Sequence, residues 1–524
     1  MRKCYLIFGS MISLALLFTG CAVGPDYIRP EVVQPQKWVQ EKDPAIKSEP
    51  ADFGQWWTVF DDPVLNTLVE TAYQQNLGLR IAGVRILEAR AQLGIAAGNL
   101  YPQTQKVVGN YTATRVSKST ANSQPGADFS YRDIDLGFDV AWELDFWGKF
   151  RRGIEASLGD LGVSIARYDD ILVTLTAEVA RTYVLIRTLE QRLAIARENV
   201  NIQKSSLHIA EVRFKSGDVT ELDVAQAKTL LGETQASIPP LQAALRQAKN
   251  ALAVLLGILP GHIEEMLGQP GTIPSVPVEV AVGVPAELLR RRPDIRLTER
   301  RLAGQSARIG IAKADLYPHF SLFGTIGLRA SDAALTEVGY PGGGSFSDLW
   351  RSDSVEYRFG PSLGWDIFNY GRIKNRVRVQ DARFQELVAN YENTVLQAAQ
   401  EVEDAMVSFL RRQEEANYLT QSVEAAVHSV KLSLIQYREG LVDYQRVLDA
   451  QQSQSIGQDK LTATTGNLVL DLITVYKALG GGWQFRKGKD FVSQAIKQQM
   501  QNRTNWGDLL TPIELETLPS MEGR

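Results

Sequence analysis

Trp142-Glu-Leu-Asp-Phe-Trp-Gly148-Lys149 returns 223 residues later as Trp365-Asp-Ile-Phe-Asn-Tyr-Gly371-Arg372. Phe214-Lys-Ser-Gly217 returns as Tyr437-Arg-Glu-Gly440 at the same spacing. Between these anchors, apolar residues recur every seven positions in both copies. They are Leu172, Val179, Ile186, Leu193, Val200, Leu207 and Phe214 in the first copy, and Val395, Val402, Phe409, Ala416, Val423, Val430 and Tyr437 in the second. A repeat of this size indicates one supersecondary unit used twice, so we expect a pseudo-symmetric assembly.

The segment that leads into each tryptophan anchor alternates between apolar and polar residues. From 133 to 145 the even positions are apolar and most odd positions are acidic or small. Segment 355–367 repeats the alternation, 319–329 shows it with an interruption at Phe323, and 103–116 shows it weakly. Such period-2 patterns predict β-strands that have one apolar face. Each copy of the repeat therefore contributes a strand hairpin.

These four strands fit either a soluble sandwich or a membrane-spanning barrel. Apolar faces of about 9–11 residues, with Trp142, Trp147, Trp365 and Tyr370 near their ends, match barrel strands. Four strands cannot close a membrane barrel, which needs roughly eight. Open sheet edges in lipid would leave backbone groups unpaired, so other copies of the chain must complete the sheet. Two copies would supply eight strands and a narrow barrel, and three would supply twelve.

After each hairpin the apolar period changes from two to seven. The run 151–214 would be roughly 95 Å long as a continuous helix, and its seven-residue repeat predicts coiled-coil packing. Gly217 is predicted to end the first long helix, and Thr220 to begin the next with a capping box. Gly440 and Asp443 are predicted to take the same places in the second copy. Helical hairpins that reach about 90–100 Å from a membrane suggest a conduit across a periplasm.

The N-terminus predicts secretion and lipid attachment. Residues 1–20 have the charged start, the apolar stretch and the small residues of a signal peptide. Cys21 is the only cysteine beyond them, so the mature chain can form no internal disulfide. The pattern before Cys21 resembles a bacterial lipobox, which implies covalent N-palmitoyl and S-diacylglycerol groups on this cysteine. Ala22 stands where an aspartate would signal retention in the inner membrane, and this favours the outer membrane.

Composition and motifs exclude several classes of function. Hydrophobic residues make up 44% and charged residues 22% of the chain, as in ordinary folded proteins. The net charge of −4 gives no support for nucleic-acid binding. The four histidines lie far apart without metal-ligand spacing, and no nucleophile–base motif or phosphate loop is present. We therefore expect no metal site, no cofactor apart from the covalent lipid, and no enzymatic activity.

The repeat divides the chain into five parts. We predict a signal peptide (1–20), an extension from the lipidated cysteine (21–61), a first repeat (62–283), a second repeat (284–483) and a C-terminal tail (484–524). Each repeat is predicted to run from a helix through a strand hairpin (101–147 and 317–370) to a helical hairpin (151–257 and 372–480).

Four stretches resemble a known family: Cys21-Ala-Val-Gly-Pro-Asp-Tyr-Ile-Arg-Pro30, Val284-Pro-Ala-Glu-Leu-Leu-Arg-Arg-Arg-Pro-Asp-Ile295, the duplicated Leu-Tyr-Pro, and Gly480-Gly-Gly-Trp483. They are similar to the outer-membrane efflux lipoproteins of the OprM/NodT-like branch of the TolC superfamily. The resemblance implies an internally duplicated α+β fold, in which four transmembrane strands per chain complete a trimeric twelve-strand barrel. The long coiled-coil helices would form an α-barrel in the periplasm.

The same resemblance implies a function and partners. The homotrimer would be the outer-membrane exit duct of a tripartite efflux system, anchored by lipid and passively conducting small molecules. A periplasmic adaptor and an inner-membrane pump of the resistance-nodulation-division type would deliver them.

The resemblance also places a periplasmic gate beside the helical turns, at Asp223, Tyr444, Gln445, Arg446 and Asp449. Threefold symmetry would turn each inward-facing carboxylate into a ring of three, which attracts cations and stores repulsion. The alternative is that Asp223 and Asp449 are helix caps or solvated surface acids.

Three other functions are compatible with parts of the sequence. One is the outer-membrane channel of a type I protein secretion system, although the lipobox and the family motifs favour small-molecule efflux. Another is a periplasmic adaptor lipoprotein, which would lack the duplicated amphipathic strands. The third is a coiled-coil scaffold without transport activity.

Overall fold

The computed structural model describes residues 22–32, 37–47, 49, 53–119, 129–277, 280–283, 291–333 and 346–511. The predicted signal peptide, Cys21, residues 284–290 of the family motif and the last 13 residues lie outside these ranges.

Each repeat has a helix, two strands and a long helical hairpin in that order. The elements are β1 (Ile46–Lys47), α1 (Pro63–Gln75), α2 (Leu77–Gly98), β2 (Thr104–Arg115), β3 (Ser130–Leu144), α3 (Lys149–Lys215), α4 (Glu221–Leu256), α5 (Ile263–Leu267), β4 (Val280–Ala281), α6 (Pro293–Ala314), β5 (His319–Ser331), β6 (Val355–Gly364), α7 (Arg372–Arg438), α8 (Tyr444–Ala478) and α9 (Gln494–Arg503). Helices α3 and α7 both have 67 residues and start 223 positions apart. The duplication seen in the sequence is therefore a duplication of structure.

The four long strands form one antiparallel sheet in the order β2-β3-β5-β6. One row across this sheet joins Val107, Phe138, Ile326 and Tyr357, whose side chains share a face. These four residues are 75%, 41%, 58% and 70% exposed, respectively. A continuous apolar face of this kind is rare on soluble monomers and marks contact with a membrane or a partner. All four strand segments predicted from the sequence are present in this sheet.

The long helices follow the predicted period of seven. Leu172, Val179, Ile186, Leu193 and Val200 are buried along α3, but Phe214 is 43% exposed. Phe214, in the last turn of α3, is not part of the buried stripe that the other five residues form within one chain. A 67-residue helix is about 100 Å long. Within the described residues, no single helix has both the length and the hydropathy to cross a membrane, and only the pair 221–256 and 260–267, bent by 107°, meets these criteria jointly.

The helix ends lie where the sequence places them, with one correction. Gly217 and Gly440 follow α3 and α7 with φ of +81° and +76°, in the left-handed region that glycine adopts without strain. Thr220 and Asp443 occupy the N-cap positions of α4 and α8. Neither side chain makes a capping hydrogen bond, so the predicted capping box is wrong. In the first turn of α4, the Asp223 carboxylate is bonded to a tyrosine of α7 instead.

The C-terminal segment is part of the largest hydrophobic core. This central core comprises buried side chains of α1, α2, the middle of α3 and the end of α8. Phe491, Val492, Met500 and Leu510 of the tail are buried in the same cluster. Inside it, the Arg486 side chain pairs with the fully buried Asp169 of α3. Residues 484–511 therefore close the central core.

Candidate functional site

The two helical turns, one from each repeat, meet in a small apolar cluster that we call the tip core. Its buried members are Ala210 of α3, Val224 and Ala227 of α4, Tyr437 of α7, and Tyr444 and Val447 of α8. All four long helices contribute, so the turns after Gly217 and Gly440 are held side by side. The tip core lies a full helix length away from the sheet.

Three polar contacts tie the first repeat to the second at the tip. The Tyr437 hydroxyl donates to Asp223 Oδ2 at 3.1 Å. The hydroxyls of Ser206 and Tyr444 are 3.0 Å apart. Gln226 Nε2 donates to Gln445 Oε1 at 3.1 Å. Each contact crosses between the two helical hairpins, so these bonds must break if the hairpins separate at their tips.

The predicted gate residues fall into two groups. Asp223 and Tyr444 belong to the interior of the tip: Asp223 is partly buried, and the Tyr444 ring packs edge-on against Tyr437 with centroids 5.2 Å apart. Gln445, Arg446 and Asp449 lie on the exposed face of α8. There Gln445 Nε2 donates to Asp449 Oδ1 at 2.7 Å, one helical turn away. The sequence did not distinguish these two environments.

Burial fixes the protonation of both tip tyrosines. Burial raises the pKa of Tyr437 far above its usual range, and the neighbouring Asp223 carboxylate raises it further. Burial also raises the pKa of Tyr444. A raised pKa keeps the proton on the phenol throughout the physiological range. The Tyr437 hydroxyl therefore remains a hydrogen-bond donor to Asp223.

An arginine of α3 completes the tip. The Arg213 guanidinium lies 4.7 Å from the centre of the Tyr437 ring and donates to the backbone carbonyl of the same residue. This arrangement gives Tyr437 a second polar partner and adds a cation–π interaction. Sequence reasoning missed the roles of Ser206, Arg213, Gln226 and Tyr437. One signal was available, since Phe214 is replaced by Tyr437 at the repeat spacing and only the second copy gains a hydroxyl.

The polar groups of the tip form hydrogen bonds and ion contacts with one another. Its polar groups are carboxylates, amides, hydroxyls and guanidinium groups that pair with one another across two hairpins. Among the residues that the structure describes, no group of three or more His, Cys, Asp or Glu side chains is placed to hold a metal ion.

The chain matches the family model described as outer membrane efflux protein over residues 68–258 and 284–481. It is 29% identical over 474 residues to nodulation protein T of Rhizobium leguminosarum bv. trifolii, covering 90% of this chain and 96% of the relative. It is 28% identical over 472 residues to the cation efflux system protein CusC of Escherichia coli K12, covering 90% and 98%. The solved outer-membrane channel OprN superimposes with a TM-score of 0.80 at 34% identity, covering 88% of this chain and all of OprN.

An apolar strand surface joined to helical hairpins of this length defines the class of outer-membrane channels that carry a periplasmic helical tunnel. The chain belongs to the outer membrane efflux protein family. This confirms the family resemblance, the TolC-like fold, the efflux function and the location in the outer membrane that were inferred from the sequence. The comparisons do not favour the protein secretion alternative.

Proposed function

We propose that three copies of this chain form the passive exit duct of a tripartite efflux pump. A periplasmic adaptor and an inner-membrane pump, of the resistance-nodulation-division type, deliver small molecules to the tunnel. The chain itself catalyses no reaction, and the pump selects the substrate. Gating takes place at the tip core.

The observation that carries this proposal is the pair of unpaired edges on the four-stranded sheet. Strands β2 and β6 are its edges, and within the described part of the chain each pairs with one strand. Unpaired backbone groups in lipid cost several kcal/mol each, so both edges need partners. Because neighbouring strands alternate in direction, β6 is antiparallel to β2 of an adjacent copy. Three copies then close a twelve-strand barrel wide enough for a lumen.

The names of the relatives support small solutes as cargo. CusC is a cation efflux protein and the relative OpmQ of Pseudomonas putida, 29% identical over 477 residues, is a pyoverdine export protein. A passive duct fits the export of cations and the export of pyoverdine alike. By analogy we assign small molecules or ions, rather than folded proteins, to this channel.

The first described residues support a lipid on Cys21. The Val23 amide donates to the Trp147 carbonyl at 2.9 Å, at the junction between the sheet and α3. Asp26 pairs with Arg152 of α3 at 2.7 Å. These contacts fix the residue after Cys21 at the rim of the sheet that faces the helices. An acyl chain attached there would enter the periplasmic leaflet of the outer membrane directly.

Cys21→Ser is expected to remove the lipid without removing the protein from the outer membrane. A completed barrel anchors the trimer by itself, so residence in the outer membrane does not require the lipid. Mass spectrometry of the mature protein and membrane fractionation measure the two effects. Cys4→Ser, within the signal peptide, is the control and leaves the mature mass unchanged. Complete loss of the Cys21→Ser protein from the outer membrane would show that the lipid is the principal anchor.

Asp223→Ala combined with Asp449→Ala is expected to make the channel leak. A hydrogen bond to a charged group contributes about 1.5–3 kcal/mol. The bond from Tyr437 to Asp223 crosses between the hairpins, and its loss in every chain should raise the open population by at least about tenfold. Single-channel recordings in planar bilayers and uptake of a large antibiotic into cells measure the effect.

Glu424→Ala is the control for the tip variants, because it removes one exposed carboxylate from α7 at a distance from the turns. It should leave conductance unchanged. If the double variant conducts no more than the natural protein, neither aspartate takes part in a gate. If the natural protein and every variant form no pore, the channel function itself is refuted.

A further inference from the structure

We propose that β6 of one copy pairs with β2 of the next in the register that β3 and β5 adopt within the chain. Ser362 then lies opposite Asn110 of the partner subunit, and Gly360 lies opposite the partner's Thr112. This inference rests on the proposed trimeric channel and specifies the contact that closes it. It follows from the internal repeat. Inside the chain, β3 and β5 join the second strand of one repeat to the first strand of the other. Between chains, β6 and the partner's β2 do the same.

The two strand hairpins are built on the same register. Val107 pairs with Phe138 in the first hairpin, and Leu322 pairs with Pro361 in the second. Leu322 lies 215 positions after Val107, and Pro361 lies 223 positions after Phe138. Helices α2 and α6, which precede the hairpins, are 216 positions apart, so the first copy has one extra residue between helix and strand. Because of this one-residue difference, equivalent residues of β2 and β5 are 215 positions apart and not 216.

The pairing of β3 with β5 inside the chain predicts the register in which β6 pairs with β2 of the next copy. Asp139 of β3 pairs with Thr325 of β5, and Gly137 pairs with Gly327. Moving from β3 to β6 adds 223 positions and moving from β5 to β2 subtracts 215 positions. The Asp139–Thr325 pair thereby becomes Ser362 with the partner's Asn110. The Gly137–Gly327 pair becomes Gly360 with the partner's Thr112.

The chemistry of the two faces agrees with this register. Ser362 of β6 lies on the polar face, opposite Ser321 of β5, and Asn110 of β2 lies on that face opposite Asp135. On the other face, Phe359 would meet Ala113 of the partner subunit. A slip by one residue would move every apolar side chain of one strand onto the polar face. The remaining competitors are slips by two residues, which preserve the faces.

Disulfide trapping in the full-length protein separates these registers. Directly opposed strand residues have Cα atoms about 4.5–5.5 Å apart, within the range of a disulfide. A slip by two residues adds about 6.6 Å along the strand and places the Cα atoms about 8 Å apart, beyond that range. The test variant is Ser362→Cys with Asn110→Cys, and the slipped variant is Ser362→Cys with Thr112→Cys. The matched control is Asp139→Cys with Thr325→Cys, the equivalent pair within one chain.

Oxidised outer membranes are compared on non-reducing gels. The test variant should yield covalent dimers and trimers but no larger species. Their amount should be at least about tenfold higher than for the slipped variant, and a reducing agent should abolish them. The control should yield only an internally bridged monomer. Stronger trapping of the slipped variant would overturn the register while leaving the channel intact. If the control is bridged but neither interchain pair is trapped, the proposed register is overturned. Persistence of export in that case shows that the channel itself still works.

Discussion

Asp169→Ala is expected to lower the free energy of unfolding by about 3–5 kcal/mol and to release residues 484–511 from the central core. Asp169 is completely buried in α3 and accepts hydrogen bonds from Arg486 of the tail and from Arg296 of α6, the latter at 3.1 Å. Arg486 is itself only 2% exposed. Removing the carboxylate would leave this guanidinium buried without a countercharge, and desolvation makes that state costly.

The aromatic residues around Arg486 cannot replace the lost charge. Its guanidinium carbon lies 4.6 Å from the centre of the Phe491 ring and 5.7 Å from that of Trp483. A cation–π contact contributes about 0.5–2 kcal/mol, less than the loss of a buried countercharge. The tail should therefore detach so that Arg486 can reach water. Thermal denaturation of the purified protein measures the loss of stability, and tryptic cleavage after Arg486 measures the release of the tail.

Two further variants test the physical reason. Asp160→Ala removes another aspartate of α3, whose pair with Arg308 at 2.6 Å is partly solvated, and should cost at most about 1 kcal/mol. Asp169→Leu with Arg486→Met replaces both buried charges by apolar groups and should recover much of the stability. Equal losses for Asp160→Ala and Asp169→Ala would show that burial of the pair is not what holds the tail.

The sequence predicted those parts of the fold that have a period. Alternation in 133–145 and 355–367 located β3 and β6 within a few residues, because a strand with one apolar face must alternate. The seven-residue repeat in 151–214 located α3 because a helix packed along one stripe must repeat its apolar residues. Glycine at 217 and 440 marked the helix ends, since a left-handed residue was needed at both positions.

The parts that it did not predict depend on contacts between distant positions. Asp223 bonds to Tyr437, 214 positions away, and Arg486 reaches Asp169 across 317 positions. No local pattern encodes such a pair, because each residue taken alone is compatible with a solvated surface. The tail 484–511 has no repeat partner and no long periodic segment, so no sequence pattern predicted that it packs into the central core.

Gly159→Ala is expected to destabilise the protein although alanine favours helix over glycine. Gly159 lies in α3 where that helix crosses α6. A Cβ at this position would be 2.7 Å from the Cα of Gly304 and 3.1 Å from the carbonyl oxygen of Arg300. These are backbone atoms that cannot rotate away, so the two helices must move apart. Overpacking of this kind costs about 1–3 kcal/mol, which exceeds the gain of about 1 kcal/mol in helix propensity.

Gly153→Ala is the matched control, because it makes the same chemical change six residues earlier in the same helix. Apart from the backbone of its own helix, no atom of the described residues would lie within 4 Å of a Cβ at Gly153. Only the difference in helix propensity between glycine and alanine then remains, so Gly153→Ala should be neutral or should stabilise the protein by up to about 1 kcal/mol. Thermal denaturation should therefore shift in opposite directions for the two variants. Shifts of the same sign would mean that α3 and α6 do not cross this closely in the assembled channel, and that helix propensity alone governs both positions.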